Sequence, residues 1–431
     1  MKTFLLLNLL LIIGTHPADS IASPDNVQQP VHQNEILQQL EETYSMDDDL
    51  IQQLEALGYL GGHEIATQTG GVLKYQPANA QSGYNLIVSG HGPEVDLMDM
   101  DGTILHTWRC PRNEAFLSND DKSISSEKAR SFRRAKVLPN GDLIGIYNGT
   151  GMVRLNWNSE IIWTQPAKCH HDLTICPEGY LYTFVQKRRK YESFNPNDYI
   201  YDEEIVKLDA QTGKIISRLS LIEAFTFSRY TPYLKKIPSS GDIFHANTIS
   251  YIDDKTAQLL PIYLPGTLLI SIRNMDAIAI VDPNAKRVKW ALTGLWSFQH
   301  EPSILPNGHI LLFDNTGHDG RSKVIEFNPT TQKTIWTYSD SVKTPLFSST
   351  SGACYRLSNG NTLIVESNRG RVIETNSDLD SVWEYINVHR WGEENQLIAT
   401  LFDVQRIPKD FFDPAITRIL NNRNSDTFHI R

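Results

Sequence analysis

The chain has 431 residues, 40% of them apolar and 21% charged, with a formal net charge of −10. That length can bury a large core, as one big repeat domain or as two or three ordinary ones. The acidic balance argues against a general nucleic-acid binder, so any anionic ligand has to be held by local positive groups.

The first residues, MKTFLLLNLLLIIGTHPADSIAS, combine one lysine, an apolar run from Phe4 to Ile13, and small and polar residues with a cleavage point after Ala22. This is the pattern of a secretory signal peptide over residues 1–22, too short for a spanning helix, and no later segment offers 18 uninterrupted apolar residues. The expectation is an exported protein, periplasmic or secreted, with no membrane span. Residues 23–82 read as a polar helical lead. In DDDLIQQLEALGYLGG the leucines and isoleucines fall at helical spacing, Asp48 or Asp49 can cap the helix, and Gly61 and Gly62 end it.

From residue 83 the texture changes to short β-rich runs between Asn, Asp, Gly and Pro, which predicts an all-β body over 83–390. A phrase of strand, turn, strand, turn, strand and Trp recurs. It starts at Tyr84 (YNLIVSGHGPEVDLMDMDGTILHTW), Leu138 (LPNGDLIGIYNGTGMVRLNWNSEIIW) and Cys176 (CPEGYLYTFV, then EIVKLDAQTGKII). It starts again at Gly266 (GTLLISIRNMDAIAIVDPNAKRVKW), Leu305 (LPNGHILLF) and Leu357 (LSNGNTLIVE). Six units at this period predict a six-bladed β-propeller. Trp108, Trp163, Trp290, Trp336 and Trp383 are expected to pack between blades. Residues 391–431 read as a C-terminal extension lying on the propeller.

Export admits disulfides, and Cys110, Cys169, Cys176 and Cys354 allow three complete pairings. Cys169 and Cys176 are close enough in sequence for a local clip. The lack of paired CxxC spacing weighs against structural zinc.

Repeat phase locates candidate chemistry. Five residues before the LPNG-type turn stand Arg133, His171, His300 and Gly352, and His245 opens the corresponding strand of the fourth unit. A single histidine at a strand start is ordinarily a satisfied structural residue. Three at matched phase beside an arginine instead define an anion site or a metal site. Seven residues after the turn glycine come Asn148, Gln186, Arg273, Asn315 and Ser367, a second polar ring.

With these residues in hand, the chain resembles the periplasmic arylsulfate sulfotransferases, six-bladed propellers that move a sulfuryl group between phenols without a nucleotide donor. CHHDL (169–173), FHANTISY (244–251), LLISIRN (268–274) and FQHEP (298–302) carry the resemblance, which extends over residues 83–385. It implies His300 as a nucleophile that becomes transiently sulfurylated, with His171, His245, Asn247 and Arg273 around the transferring group. Phase keeps His171 rather than His170 in step with His300, and adds Arg133 and Asn315 as substrate contacts.

The chemistry suits these types. Attack at sulfur spreads negative charge over oxygens that Arg273, His245 and Asn247 can stabilise, and the arginine fork matches oxyanion geometry. A neutral imidazole, free pKa ~6.5, can attack at neutral pH. The departing phenolate, with a conjugate acid of pKa ~10, calls for protonation by a nearby imidazolium, His171 or His245. A covalent intermediate implies ping-pong kinetics, an aryl sulfate donor, a phenolic acceptor, no cofactor and no metal. Those enzymes carry a β-sandwich ahead of the propeller where this chain shows only the polar lead, which implies a different architecture for any homodimer.

The rival readings are a non-enzymatic secreted binding propeller, a quinoprotein-like dehydrogenase, and a metal-dependent hydrolase or lyase using the histidines as ligands. No GxxxxGK[ST] loop or dinucleotide fingerprint is present. KRRK (187–190) reads as a solvated loop between strands, and Asn148-Gly149-Thr150 matches a glycosylation sequon.

Overall fold

The repeated turn shows how the chain builds its sheets. At Leu138 the backbone N–H donates to Asp142 O (2.8 Å) while the Gly141 N–H donates to Leu138 O (2.9 Å), and Leu305, His309 and Gly308 repeat the geometry. Gly141 and Gly308 sit at φ +83° and +80°, where a side chain is disfavoured, so glycine reverses the chain after one strand and starts the next. The computed structural model describes residues 61–66, 69–116, 131–191, 195–317, 320–339, 346–392 and 394–428. The expected signal peptide and lead helix lie outside the described residues, apart from Gly61 and Gly62.

Among the described residues, six sheets of four or five strands follow in chain order, five of them with four successive strands as the body, beside one small three-stranded sheet. The first pairs Tyr84–Ser89, Glu94–Met98 and Ile104–Arg109 and is completed by Leu401–Ile407. The second runs from Arg134–Val137 to Ile161–Gln165, and the third from Cys169–Ile175 to Ile215–Ser220. The fourth runs from Ala246–Ile252 to Arg287–Thr293, and the fifth from His300–Ile304 to Thr334–Tyr338. The sixth runs from Ala353–Arg356 to Ser381–Ile386, with Gly71–Tyr75 added at its outer edge.

Burial shows how the sheets are stacked. One apolar cluster joins each sheet to the next, for example Leu86, Trp108, Leu143 and Val153 between the first and second. Another, with Leu363, Val365, Ile87 and Val404, joins the sixth back to the first and closes the ring. The protein is a β-propeller. Trp108, Trp163 and Trp383 are buried and donate their indole N–H to Gly141 O, Ala210 O and Met100 O of the following sheet. Each one therefore fills an interface and satisfies a turn carbonyl at once.

Several expectations are corrected. Leu401–Ile407 lies in the region read as an extension, yet it is the innermost strand of the first sheet. Beyond it, the helix Pro414–Phe428 packs Ile416 and Leu420 onto the cluster between the first two sheets. The described part of the lead forms strands, Gly62–Ile65 and Gly71–Tyr75. KRRK is not a loop but part of the strand Tyr180–Tyr191, with the Arg188 and Lys190 head groups 4.2 and 5.3 Å from the Tyr199 ring of the paired strand. All four cysteines are free and buried. Cys169 opens the extended strand Cys169–Ile175 and Cys176 follows its end. At ~3.3 Å per residue they stand about 20 Å apart, against the ~7 Å that a disulfide spans.

Candidate active site

The innermost strands all start at the same end of the ring, and there the sequence-matched residues meet. His171 and His245 lie edge to face with ring centroids 4.6 Å apart. The charges of Arg133 and Arg273 both act on His245 and His300. Distortions of the strands make this convergence. His171 and His245 sit at φ +58° and +50°, and the pairing registers slip after His170, Ala246 and His300. A β-bulge bends a strand and re-aims its side chains, which here turns them into the centre.

His300 is 6% exposed, and its Nδ1 lies 2.7 Å from Asn315 Oδ1 and 2.9 Å from Phe298 O. The Asn315 amide cannot be turned round, because its Nδ2 donates to two carbonyls, Ser348 O (2.7 Å) and Ser351 O (2.5 Å). Its oxygen must therefore face the imidazole. With only acceptors around it, Nδ1 carries the proton and Nε2 keeps the lone pair. Gln299, fully buried, clamps this strand onto the fourth sheet by donating to Ser271 Oγ and Ala277 O. Asn247 donates to Gln299 O (2.9 Å), so it braces the backbone beside His300.

His245 Nδ1 lies 2.6 Å from Asp242 Oδ2, which makes Nε2 its lone-pair nitrogen as well. His171 receives its partner from the residue before it, His170, with Nδ1 atoms 2.8 Å apart. Burial pushes His300 and His171 well below the ordinary histidine range. Burial and Arg273 bring His245 down to about 4 against the pull of Asp242. All three are thus held below the ordinary histidine range, which disfavours the imidazolium acid that the resemblance calls for. The positive charge belongs to Arg133, which donates to Ser351 Oγ (3.0 Å), and to Arg273. Arg273 is half-buried beside the exposed Phe298 ring, 5.7 Å from its centroid, and its Nε donates to Asn274 Oδ1.

The second polar ring braces the first. Asn148 Oδ1 accepts the His171 N–H, Ser367 Oγ accepts the Gly352 N–H, and Asn315 orients His300. Asn148, the sequon residue, thus belongs to the centre. Sequence reasoning set His170 aside on phase and missed Asp242, Glu203, Gln299 and Ser351.

One residue further along the strands lies a buried ionic hub. Arg134 stands 3.0 Å from Asp172, 2.6 Å from Glu301 and 2.7 Å from Asp403, and Tyr355 donates to Asp403 (2.6 Å). The fourth sheet joins through the Ile249 N–H on Asp172 and Thr248 Oγ1 under the Glu301 N–H. Asp172 and Glu301 thus serve Arg134 rather than the histidines. Beyond the hub lies a cavity of about 390 Å³ whose polar lining includes Lys136, Thr174, Ser250, Ser303, Tyr355 and Gln405. Among the described residues no group of three or more His, Cys, Asp or Glu side chains is placed to hold a metal ion.

Fold and site together define a propeller in which imidazoles and fixed guanidinium charge converge where the innermost strands start. Residues 134–388 match the arylsulfotransferase (ASST) family, and the chain belongs to that family, which makes it a sulfotransferase by descent. No curated protein matches the sequence. Among solved structures it is similar to a Bacteroides caccae protein of unknown function, with 14% identity over 70% of this chain and 93% of that one, TM-score 0.45. It is also similar to virginiamycin B lyase from Staphylococcus aureus (10%, 75% and 86%, 0.42) and to a streptogramin B lyase (12%, 78% and 93%, 0.44).

Proposed function

We propose that the protein transfers a sulfuryl group from an aryl sulfate ester to a phenolic acceptor, by a ping-pong route through a sulfohistidine at His300. The observation that carries this reading is the locked tautomer of His300, whose Nδ1–H is held by Asn315 and Phe298. The Nε2 lone pair attacks sulfur, the bond from sulfur to the aryl oxygen breaks, and the aryl oxygen leaves with the electron pair. Arg273, Arg133 and Asn247 surround the three sulfuryl oxygens, where preorganised donors act most strongly on developing charge. His171 exchanges the proton with the phenolic oxygen, and His245, whose Nδ1–H is held by Asp242, stands beside it. An exported protein would meet its phenols outside the cytoplasm, in keeping with the leader at residues 1–22.

The test is incubation with 4-nitrophenyl sulfate, with and without a second phenol, following nitrophenolate and the sulfated acceptor together. Without acceptor, intact-protein mass should gain one sulfuryl group, and His300→Ala should lose both that adduct and turnover. Release that persists undiminished in His300→Ala would remove the nucleophile assignment.

A further inference from the structure

Neighbouring residues of a strand point to opposite faces, so His170 and His171 would ordinarily be apart. The slip in register after His170 and the positive φ of His171 bring the two Nδ1 atoms to 2.8 Å, with both rings at most 3% exposed. Two ring nitrogens at that distance hold one proton between them, since two N–H groups would collide and two lone pairs would repel. The tautomers are therefore coupled. When His170 owns the shared proton, neutral His171 carries its own on Nε2; when His171 owns it, its Nε2 becomes a base.

On the far side of His170, Nε2 lies 3.8 Å from Glu203 Oε1, and neither atom has a hydrogen-bond partner. Glu203 is fully buried on Asn195–Asp209, and its other oxygen accepts the Ala246 N–H (2.7 Å). Burial and the Asp242 carboxylate push Glu203 well above the usual carboxylate range, and burial holds His170 down to about 3. Asp202 and Gln186 also face Glu203, and Phe184 stacks on His170. Burial thus favours the neutral form along the row Glu203, His170, His171, which leads from the interior to the site.

We propose that Glu203 and His170 act through His171 as a proton store for the two half-reactions, an inference that rests on the transferase reading above. As His300 Nε2 bonds to sulfur, the His171 Nε2 proton passes to the departing aryl oxygen. His171 Nδ1 takes the shared proton, and His170 Nε2 takes the proton of Glu203 as the 3.8 Å gap closes. Neutral phenol leaves, the N-sulfo imidazole carries no net charge, and the single negative charge that entered with the ester now rests on Glu203. The acceptor phenol reverses every transfer and restores the Glu203 acid. The route supplies an acid where burial disfavours an imidazolium.

The test compares the full chain with Glu203→Gln, whose amide oxygen can still accept from Ala246, and with His170→Asn. Infrared spectra of the resting protein should show a buried neutral carboxylic acid that Glu203→Gln removes and that converts to carboxylate when an aryl sulfate is added without acceptor. In the first half-reaction, both variants should lose about 10²-fold on phenyl sulfate, whose phenol has a pKa of ~10, and far less on 4-nitrophenyl sulfate. Equal losses on the two esters would reduce both side chains to packing and overturn the proposal, as would the absence of the acid band. A wild type that transfers but shares its leaving-group dependence with Glu203→Gln keeps the function and loses the store. A wild type that transfers from no aryl sulfate loses both.

Discussion

Replacing Arg134 with methionine removes the guanidinium that binds three buried carboxylates and leaves Lys136 as a more distant positive charge on Glu301 and Asp403. Asp172, Glu301 and Asp403 are each at most 7% exposed and lie 2.6–3.0 Å from that guanidinium. Removing one partner of a buried ion pair costs about 3–5 kcal/mol, because the other is left uncompensated. The three costs should not simply add. Burial already raises Glu301, so it can take up a proton, while Asp172 keeps the Ile249 N–H and Asp403 keeps the Tyr355 hydroxyl. The expected loss at neutral pH is therefore about 3–5 kcal/mol. At ~2.1 cal/mol/K per residue over residues 60–431, this is a fall in Tm of about 4–6 °C. The pH dependence gives the sharper test. Without Arg134 the folded carboxylates have raised pKa values, so their stability contribution is greatest at low pH and is lost as pH rises. In the wild type, burial pushes Asp403 up, but Arg134, Lys136 and the Tyr355 hydroxyl together outweigh it and hold Asp403 below its usual range, so that contribution is present at neutral pH. The gap in Tm, followed by calorimetry from about pH 8 to about pH 5, should narrow on acidification. A loss below about 1 kcal/mol, or a gap that widens in acid, would refute the role of Arg134 as the charge that holds the hub together.

Because burial holds His300 well below its ordinary range, the acid limb of kcat/KM for 4-nitrophenyl sulfate should fall well under pH ~6.5, and a limb at that value would mean an exposed nucleophile. Asn315→Ala leaves His300 Nδ1 with Phe298 O alone and takes a donor from the Ser348 and Ser351 carbonyls. Turnover should drop about 10²-fold, with a stability loss of about 1–3 kcal/mol by urea titration. Trp383→Phe removes the indole donor to Met100 O and should cost about 1–2 kcal/mol with KM unchanged. Thiol titration of unfolded, unreduced protein should find four free cysteines, and reductant should leave the Tm where it was.

The hairpin turns, the inter-sheet tryptophans and the matched histidines were legible because a repeat converts sequence offset into spatial position. His171 and His300 share an offset, and the backbone brings Asp172 and Glu301, the residues after them, to the same guanidinium. Leu401–Ile407 escaped notice because it carries neither the turn phrase nor the tryptophan, and its partners precede it by some three hundred residues. Asp242 and Glu203 were hidden differently. Asp202 and Glu203 carry no repeat phrase and hold no phase with the histidines, yet both are fully buried. KRRK misled in another way, since a long paired strand keeps charged residues extended while their heads reach solvent or the Tyr199 ring. A bulge that lets adjacent histidines touch has no signature in side-chain alternation.

Completion of the first sheet by the last strand also governs when the molecule can work. Closing a loop of about 310 residues costs only ~5 kcal/mol of chain entropy, so the join is thermodynamically modest, but it comes late. Asp403 arrives with that strand, and with it Phe402, whose ring lies 4.7 Å from the Arg133 guanidinium. A nascent chain that has made all its histidines still lacks the counter-charge of its hub and the wall behind Arg133. Catalytic competence is therefore gained in one step, at the final strand, and a chain cut short before Leu401 should hold its chemistry in pieces.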